Sequence, residues 1–233
     1  RIRLGYNWHM SRVDVIFNKK TPPIKIKMKN TKDRTIRRAL CNKLLIELNQ
    51  ERNLTGHPAR IFSEFGINHG DVRADVVTVN GIIHGYEIKS DADTLERLPN
   101  QVKAYGQVFD KVTLVVGETH IIEALSIIPD WWGVKLAKGD AVNKTVTLTV
   151  IREACANQEQ DKLAISRLLW KQEAIDILES MGKDRGIRTK RREFVYERLA
   201  STLSMIELQG RVKDKLFNRS DWRVDQPLLQ CDG

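Results

Sequence analysis

One aspartate, a Glu-Ile-Lys triplet and a Gln-x-x-x-Tyr follow in close succession: Asp75, then Glu87-Ile88-Lys89, then Gln101 and Tyr105. Carboxylates are hard oxygen donors of the kind that Mg²⁺ and Mn²⁺ select. A lysine beside them supplies positive charge where a reacting phosphate gains negative charge. Together these types point to metal-assisted hydrolysis of a phosphodiester. In that chemistry Asp75 and Glu87 are the metal ligands, the Ile88 carbonyl adds an oxygen, and Glu64 is a further acidic ligand. Lys89 orients the attacking water and stabilises the phosphorane. Gln101 and Tyr105, four apart on one helix face, hold the substrate strand against the metal. Taken singly, an Asp or a Glu-x-Lys in a strand is usually a solvated face or an ion pair; their order along the chain carries the reading.

Those roles require particular elements. Ala74–Val79 and Ile82–Lys89 alternate as strands, and Asn80-Gly81 between them is a hairpin signal. Glu87 and Lys89 then share a face while Ile88 points into the core. Asp75 joins them only if paired positions sum to an even number, as when 75 meets 85. A strict two-residue turn would pair 75 with 86 and separate the carboxylates, so the expectation is a three-residue loop with Gly81 as a bulge, or a bulge near Gly85. Upstream, Ile36, Ala39, Leu40, Leu44, Leu45 and Leu48 recur at helical spacing over Asp33–Asn49, and Ile61–Ile67 reads as a strand. Downstream come a helix from Pro99 to Phe109, a strand over Lys111–Gly117, a short helix over Ile121–Ile128 and strands over Val134–Lys138 and Thr145–Arg152. The rest is helical: Asp161–Met181, Lys190–Ala200 capped by Thr189, and Ser204–Phe217.

Charge is distributed unevenly. The chain of 233 residues carries a formal net charge of +9. Residues 1–50 hold 13 Lys/Arg against 3 Asp/Glu, and residues 183–223 hold 12 against 6, whereas residues 51–182 hold 14 against 19. Basic wings attract a polyanion, and an acidic centre attracts cations. Arg188, Lys190, Arg191, Arg192 and Arg198 are the expected phosphate contacts, which position a strand without reading its sequence; Arg34, Arg37 and Arg38 are similar candidates. No apolar run approaches the ~20 residues of a membrane span. The three cysteines form neither a disulfide framework nor a zinc spacing. The expectation is a soluble, cytoplasmic protein without membrane contact. His69, His84 and His120 read as surface or turn residues, Asp91 and Asp93 as helix caps, and Trp131-Trp132 as core or sheet edge.

The expected organisation is an extension over residues 1–27, with Met28 a plausible natural start, a core over 28–155, a basic helical region over 160–223 and a tail over 224–233. The order of Asp75, Glu87 and Lys89 on a helix–three strands–helix–strand frame resembles the PD-(D/E)XK nuclease superfamily, and Gln101-x-x-x-Tyr105 is similar to the glutamine–tyrosine motif of its RecB-like branch. Ala74 stands where the family name has proline. The upstream acid of the family, which in many members lies on the first helix, is matched loosely by Glu64, with Glu47 as the competitor. His84–Asp91, Asp93–Pro99 and Leu114–Glu118 look like an uncharacterised sce-type family of small bacterial and phage proteins, predicted nucleases, over residues 30–223. The resemblance implies an α/β fold with a restriction-endonuclease-like mixed sheet and a Mg²⁺- or Mn²⁺-dependent deoxyribonuclease, tilted towards end-processing or single-strand cleavage. The alternatives are a catalytically silent nucleic-acid-binding module, an effector in phage defence or DNA repair that needs a protein partner, and a sequence-specific restriction endonuclease, which would need a homo-oligomer and a recognition region.

Overall fold

The computed structural model describes residues 31–55, 59–140 and 145–219. The expected extension over 1–27, the start at Met28 and the tail over 224–233 lie outside the described residues. The first element is a helix, α1 (Asp33–Thr55). Three antiparallel strands follow: β1 (Arg60–Ile67), β2 (Val72–Val79) and β3 (Ile83–Lys89). Helix α2 (Leu98–Gly106) crosses to β4 (Lys111–Gly117), and α3 (Ile121–Ile127) crosses to β5 (Gly133–Gly139). Both crossovers join parallel neighbours. β6 (Val146–Arg152) adds an antiparallel edge. The sheet is therefore six-stranded and mixed, in the order β1-β2-β3-β4-β5-β6. The protein is α/β.

The sheet is covered on both faces. Against one lies α1, whose Ile36, Leu40, Cys41 and Leu44 pack on Ile61, Val76, Tyr86, Ile88, Val115 and Ala137. Burial on both faces explains the near-continuous apolar run Val112–Val116 of β4, which lacks polar alternation. The opposite face holds the larger core, shared by α2, α3 and the C-terminal helices α4 (Lys162–Ser166), α5 (Lys171–Ser180), α6 (Arg192–Thr202) and α7 (Met205–Asn218). Phe62, Trp132, Leu178, Leu199 and Leu216 belong to this one cluster, so the basic helical region and the sheet bury apolar surface together.

Two helical expectations change. Asp161–Met181 is two helices, with a break at Arg167–Trp170, where the Trp170 N–H donates to Glu173 Oε2 at 2.7 Å and starts a new capped helix. α6 begins at Arg192 with Arg191 as its N-cap residue, not at Lys190 behind a Thr189 cap.

Candidate active site

The β2–β3 hairpin sets the geometry. Its loop has three residues, Asn80-Gly81-Ile82, and Gly81 takes φ +92°, a conformation suited to glycine. This loop pairs Val79 with Ile83 and places Gly85 opposite Val77. The even-sum register is formed, but the expected pairing of 75 with 85 is not, because a three-residue loop starts the ladder at 79 and 83. Pairing stops at Val76 and Tyr86. At the next step Asp75 Oδ2 takes the Ile88 N–H at 2.6 Å, so a side chain accepts the bond where a backbone carbonyl would.

On β1 the same point is distorted. Ser63 pairs with Val76 and Phe65 with Ala74, while Glu64 between them has φ +53°. A non-glycine residue in this region is strained and needs its surroundings to hold it. The kink resets the alternation, so that Phe62 and Phe65 both enter the larger core. Glu64 Oε1 is free to meet the guanidinium of Arg37 at 3.0 Å. Arg37 also contacts Asp75 Oδ1 at 2.8 Å, the Asp75 carbonyl at 2.7 Å and Asp33 Oδ1 at 3.3 Å. Burial works against its charge, but Asp75, Asp33 and Glu64 outweigh that and raise its pKa. Burial, only partly offset by Arg37, holds the Asp75 carboxyl above the usual range.

Glu87 and Lys89 point to the α2 side. Glu87 is buried, and its Oε1 accepts from Lys89 Nζ at 2.7 Å and from Gln101 Nε2 at 2.6 Å. Its Oε2 lies 2.5 Å from the Tyr105 hydroxyl, whose single proton serves either this oxygen or the Arg73 carbonyl at 2.8 Å. Burial, and then the charge of Asp75, push Glu87 up to about 7 against the stabilising pull of Lys89. Burial beside Glu87 likewise raises Tyr105. Gln101 and Tyr105 do share a face of α2, but both are buried and grip Glu87 instead of facing out to a substrate strand.

The expected ligands thus divide. Glu64, Asp75, Glu87, Ile88 and Lys89 all line one open cleft of about 810 Å³ at this end of the sheet. The Ile88 side chain is in the α1-side core and its N–H is committed to Asp75. Glu47 is not in the cleft; it faces Lys43 along α1. Two residues in the cluster were not anticipated in these roles: Asp33, and Arg37 as a partner of carboxylates. Arg37 stands four residues before buried Cys41, at the N-terminal end of the apolar stripe, which was the available signal.

Asp91 and Asp93 tie loops rather than cap α2. Asp91 accepts from Thr31 and Thr119, and Asp93 from the Ser90 N–H and hydroxyl. His84 is half-buried on β3: it stacks on Tyr86 and bonds Thr113, and burial, with Lys135 and Lys111 nearby, drives its pKa down to about 3. Trp132 is core.

The expected phosphate contacts are all exposed on or before α6. Arg188 pairs with Glu179 at 2.6 Å, while Lys190 and Arg198 flank the ring of Phe194. Of the five, Arg192 lines a groove of about 400 Å³ beside Trp170 and Lys171, and the other four do not line that groove.

The family model of bacteriophage P4 protein cII matches residues 27–225. The chain belongs to that family. Among its cII relatives, protein cII of Enterobacteria phage P4 is 29% identical over 161 residues, covering 69% of this chain and 60% of that protein. This chain therefore matches about three-fifths of that cII protein's length. No solved structure gives a significant match. The cII match spans the whole cleft, from Asp33 to Gln101, and the helices behind it.

The donor chemistry of this cII-family cleft suits a hard divalent cation. Asp33, Glu64, Asp75 and Glu87 are oxygen donors at one end of the sheet, and Gln101 Oε1 is a buried acceptor with no hydrogen-bond partner. Among the described residues no three acids form a ready cage, and Arg37 draws Asp33, Glu64 and Asp75 to itself. A Mg²⁺ site needs no such cage, because that ion keeps several waters and takes one or two carboxylates. Among the described residues no helix is long and apolar enough to cross a membrane.

Proposed function

We propose that this cII-family chain is a metal-dependent nuclease that hydrolyses phosphodiester bonds in DNA, with the cleft of Asp75, Glu87 and Lys89 as its active site. The order α1-β1-β2-β3-α2-β4 supports the PD-(D/E)XK reading at the level of the frame. The observation that carries it is the grip on Glu87: a buried carboxylate lining a polar cleft, held by Lys89, Gln101 and Tyr105, with a second carboxylate, Asp75, lining the same cleft. Burying so many polar groups is costly unless they are paired, and the sheet alone has no need of them.

Asp75 and Glu87 would hold Mg²⁺ or Mn²⁺; when bound, the ion supplies neutralisation of the phosphate and acidification of a water. Gln101 and Tyr105 lock the rotamer of Glu87, so its oxygens are placed before substrate arrives. Lys89, at the cleft wall, brings an ammonium to the charge that develops on the phosphorane. Hydrolysis adds the water oxygen to phosphorus, releases one ester oxygen as a hydroxyl and leaves a phosphomonoester.

The test is cleavage of labelled linear, circular, single-stranded and duplex DNA with Mg²⁺ or Mn²⁺, comparing the chain with Asp75→Ala. Metal-dependent cutting that disappears in the variant is the expected result. No cutting of any substrate, with DNA still bound, would overturn it in favour of the second reading, a silent nucleic-acid-binding module. That reading is favoured by one observation: Arg37 already supplies the positive charge to three of the cleft's acids.

A further inference from the structure

The acidic cleft does not end at the sheet. Gly70 lines both this cleft and a second groove of about 400 Å³ between β1 and the C-terminal helices. A smaller hollow of about 150 Å³ shares Val72 and Asn100 with the cleft and Arg167 with the groove. The charge reverses along the way. The cleft is lined by six acids and three bases, whereas the groove is lined by Arg167, Lys171, Arg192 and Arg219 and by no Asp or Glu; Arg167 and the buried Arg219 are paired with Glu193 and Glu173 behind it, which leaves Lys171 and Arg192 as its accessible charges.

The connecting turn, Asn68–Gly70, is built of three successive left-handed residues, with φ of +48°, +62° and +95°. Such a run persists only where surrounding structure holds it. His69 is held by stacking on Tyr196 and by Glu193 at 2.9 Å, and Glu193 is in turn held by Arg167 at 2.8 Å. Above Gly70 there is open space, since an added Cβ would meet nothing within 4 Å.

At the far end Trp170 leaves 45% of its surface exposed, with the Arg219 guanidinium 4.4 Å over its ring. A large exposed aromatic among cations is what a strand with unpaired bases requires, because cations track phosphates and a ring face accepts any base. A duplex hides its base faces and offers nothing to Trp170.

We infer that a single nucleic-acid strand whose scissile phosphate lies in the acidic cleft runs over Gly70 into this groove, where Lys171 and Arg192 bind its phosphates and Trp170 stacks a base. This rests on the nuclease reading for the polarity of the path but not for the binding itself. It also relocates the basic contact: Lys171 and Arg167 join Arg192, while Arg188, Lys190 and Arg198 lie outside the groove.

The test is fluorescence anisotropy of a labelled oligothymidylate and of a duplex of equal length, in EDTA so that nothing is cut, over a series of salt concentrations. Lys171→Gln with Arg192→Gln removes two exposed or half-exposed charges without touching the core. The slope of log affinity against log salt for the single strand should shrink by about 1.4, or about 0.7 per phosphate contact. Trp170→Ala should weaken the single strand about 5-fold or more and leave the duplex unchanged. Lys190→Gln with Arg198→Gln is the control and should leave the slope unaltered. An unchanged slope in the first double variant overturns the path. So does a Trp170→Ala chain that melts normally and binds the single strand as before, or charge variants that weaken strand and duplex alike. If binding responds as expected while no substrate is ever cut, the groove stands and the nuclease reading fails. If cutting occurs and binding ignores Lys171, Arg192 and Trp170, the reverse holds.

Discussion

The contacts of Arg37 permit a quantitative test with its own internal control. One guanidinium meets two carboxylates at nearly equal distance, Asp75 at 2.8 Å and Glu64 at 3.0 Å. Their surroundings differ: the Arg37 and Asp75 side chains are 17% and 18% exposed, while that of Glu64 is 54% exposed. Coulomb attraction at equal distance scales inversely with the effective dielectric, which is far lower for the buried pair. The exposed pair is also screened by salt and is worth below about 1 kcal/mol. For the Asp75 pair, hydrogen bonds between charged groups in partial burial point to a coupling of about 1.5–3 kcal/mol. Double-mutant cycles with Arg37→Gln, Asp75→Asn and Glu64→Gln, read by urea unfolding in EDTA near neutral pH, isolate both energies. The single Arg37→Gln change should cost about 3 kcal/mol or more, because it leaves the largely buried Asp75 without its cation. Most of that should vanish in the Asp75→Asn background, and little in the Glu64→Gln background. Equal couplings would refute the reasoning that burial, not distance, decides the strength of this cluster. A loss below about 1 kcal/mol for Arg37→Gln would show that the guanidinium does not hold the acids at all.

Two further outcomes follow from the same end of the sheet. Glu87 titrates at about 7 in the fold against an ordinary 4.5, so the fold favours its neutral form. Its contribution is fully present below pH 4.5 and is lost as pH rises through 7, about 3 kcal/mol in all. Urea unfolding from pH 4.5 to 8 should show that fall in the parent and a flatter profile in Glu87→Gln; parallel profiles would contradict it. Gly85→Ala would bring a methyl to 2.5 Å from the buried Phe109 ring, which packs edge-on against Tyr105. Overpacking of this kind costs about 1–3 kcal/mol, and should appear as a lower thermal midpoint.

Most elements were legible because they are set locally. The valine-rich run Lys111–Gly117 is bounded by turn residues at both ends, and β4 occupies those residues. The stripe of α1 and the Asn80-Gly81 reversal likewise lie within a few residues of chain. The order of Asp75, Glu87, Lys89, Gln101 and Tyr105 was readable for the same reason, and all five meet at one end of the sheet. What they touch was not readable. Gln101 and Tyr105 turn inward because α2 lies against β3, a consequence of the crossover to β4.

By itself, then, the sequence determined the α/β element order, the parity of the β2–β3 hairpin and which residues carry chemistry, since periodicity and turn chemistry act over short separations. The tertiary structure alone decided the rest. It kinked β1 at Glu64 and drew Asp33 and Arg37 into the acidic cluster. It broke the helix before Lys171 so that Trp170 sits at a groove, and it gathered Arg167, Lys171 and Arg192 behind Gly70. These features depend on packing between segments far apart in the chain, and neither periodicity nor spacing encodes which of those surfaces will meet.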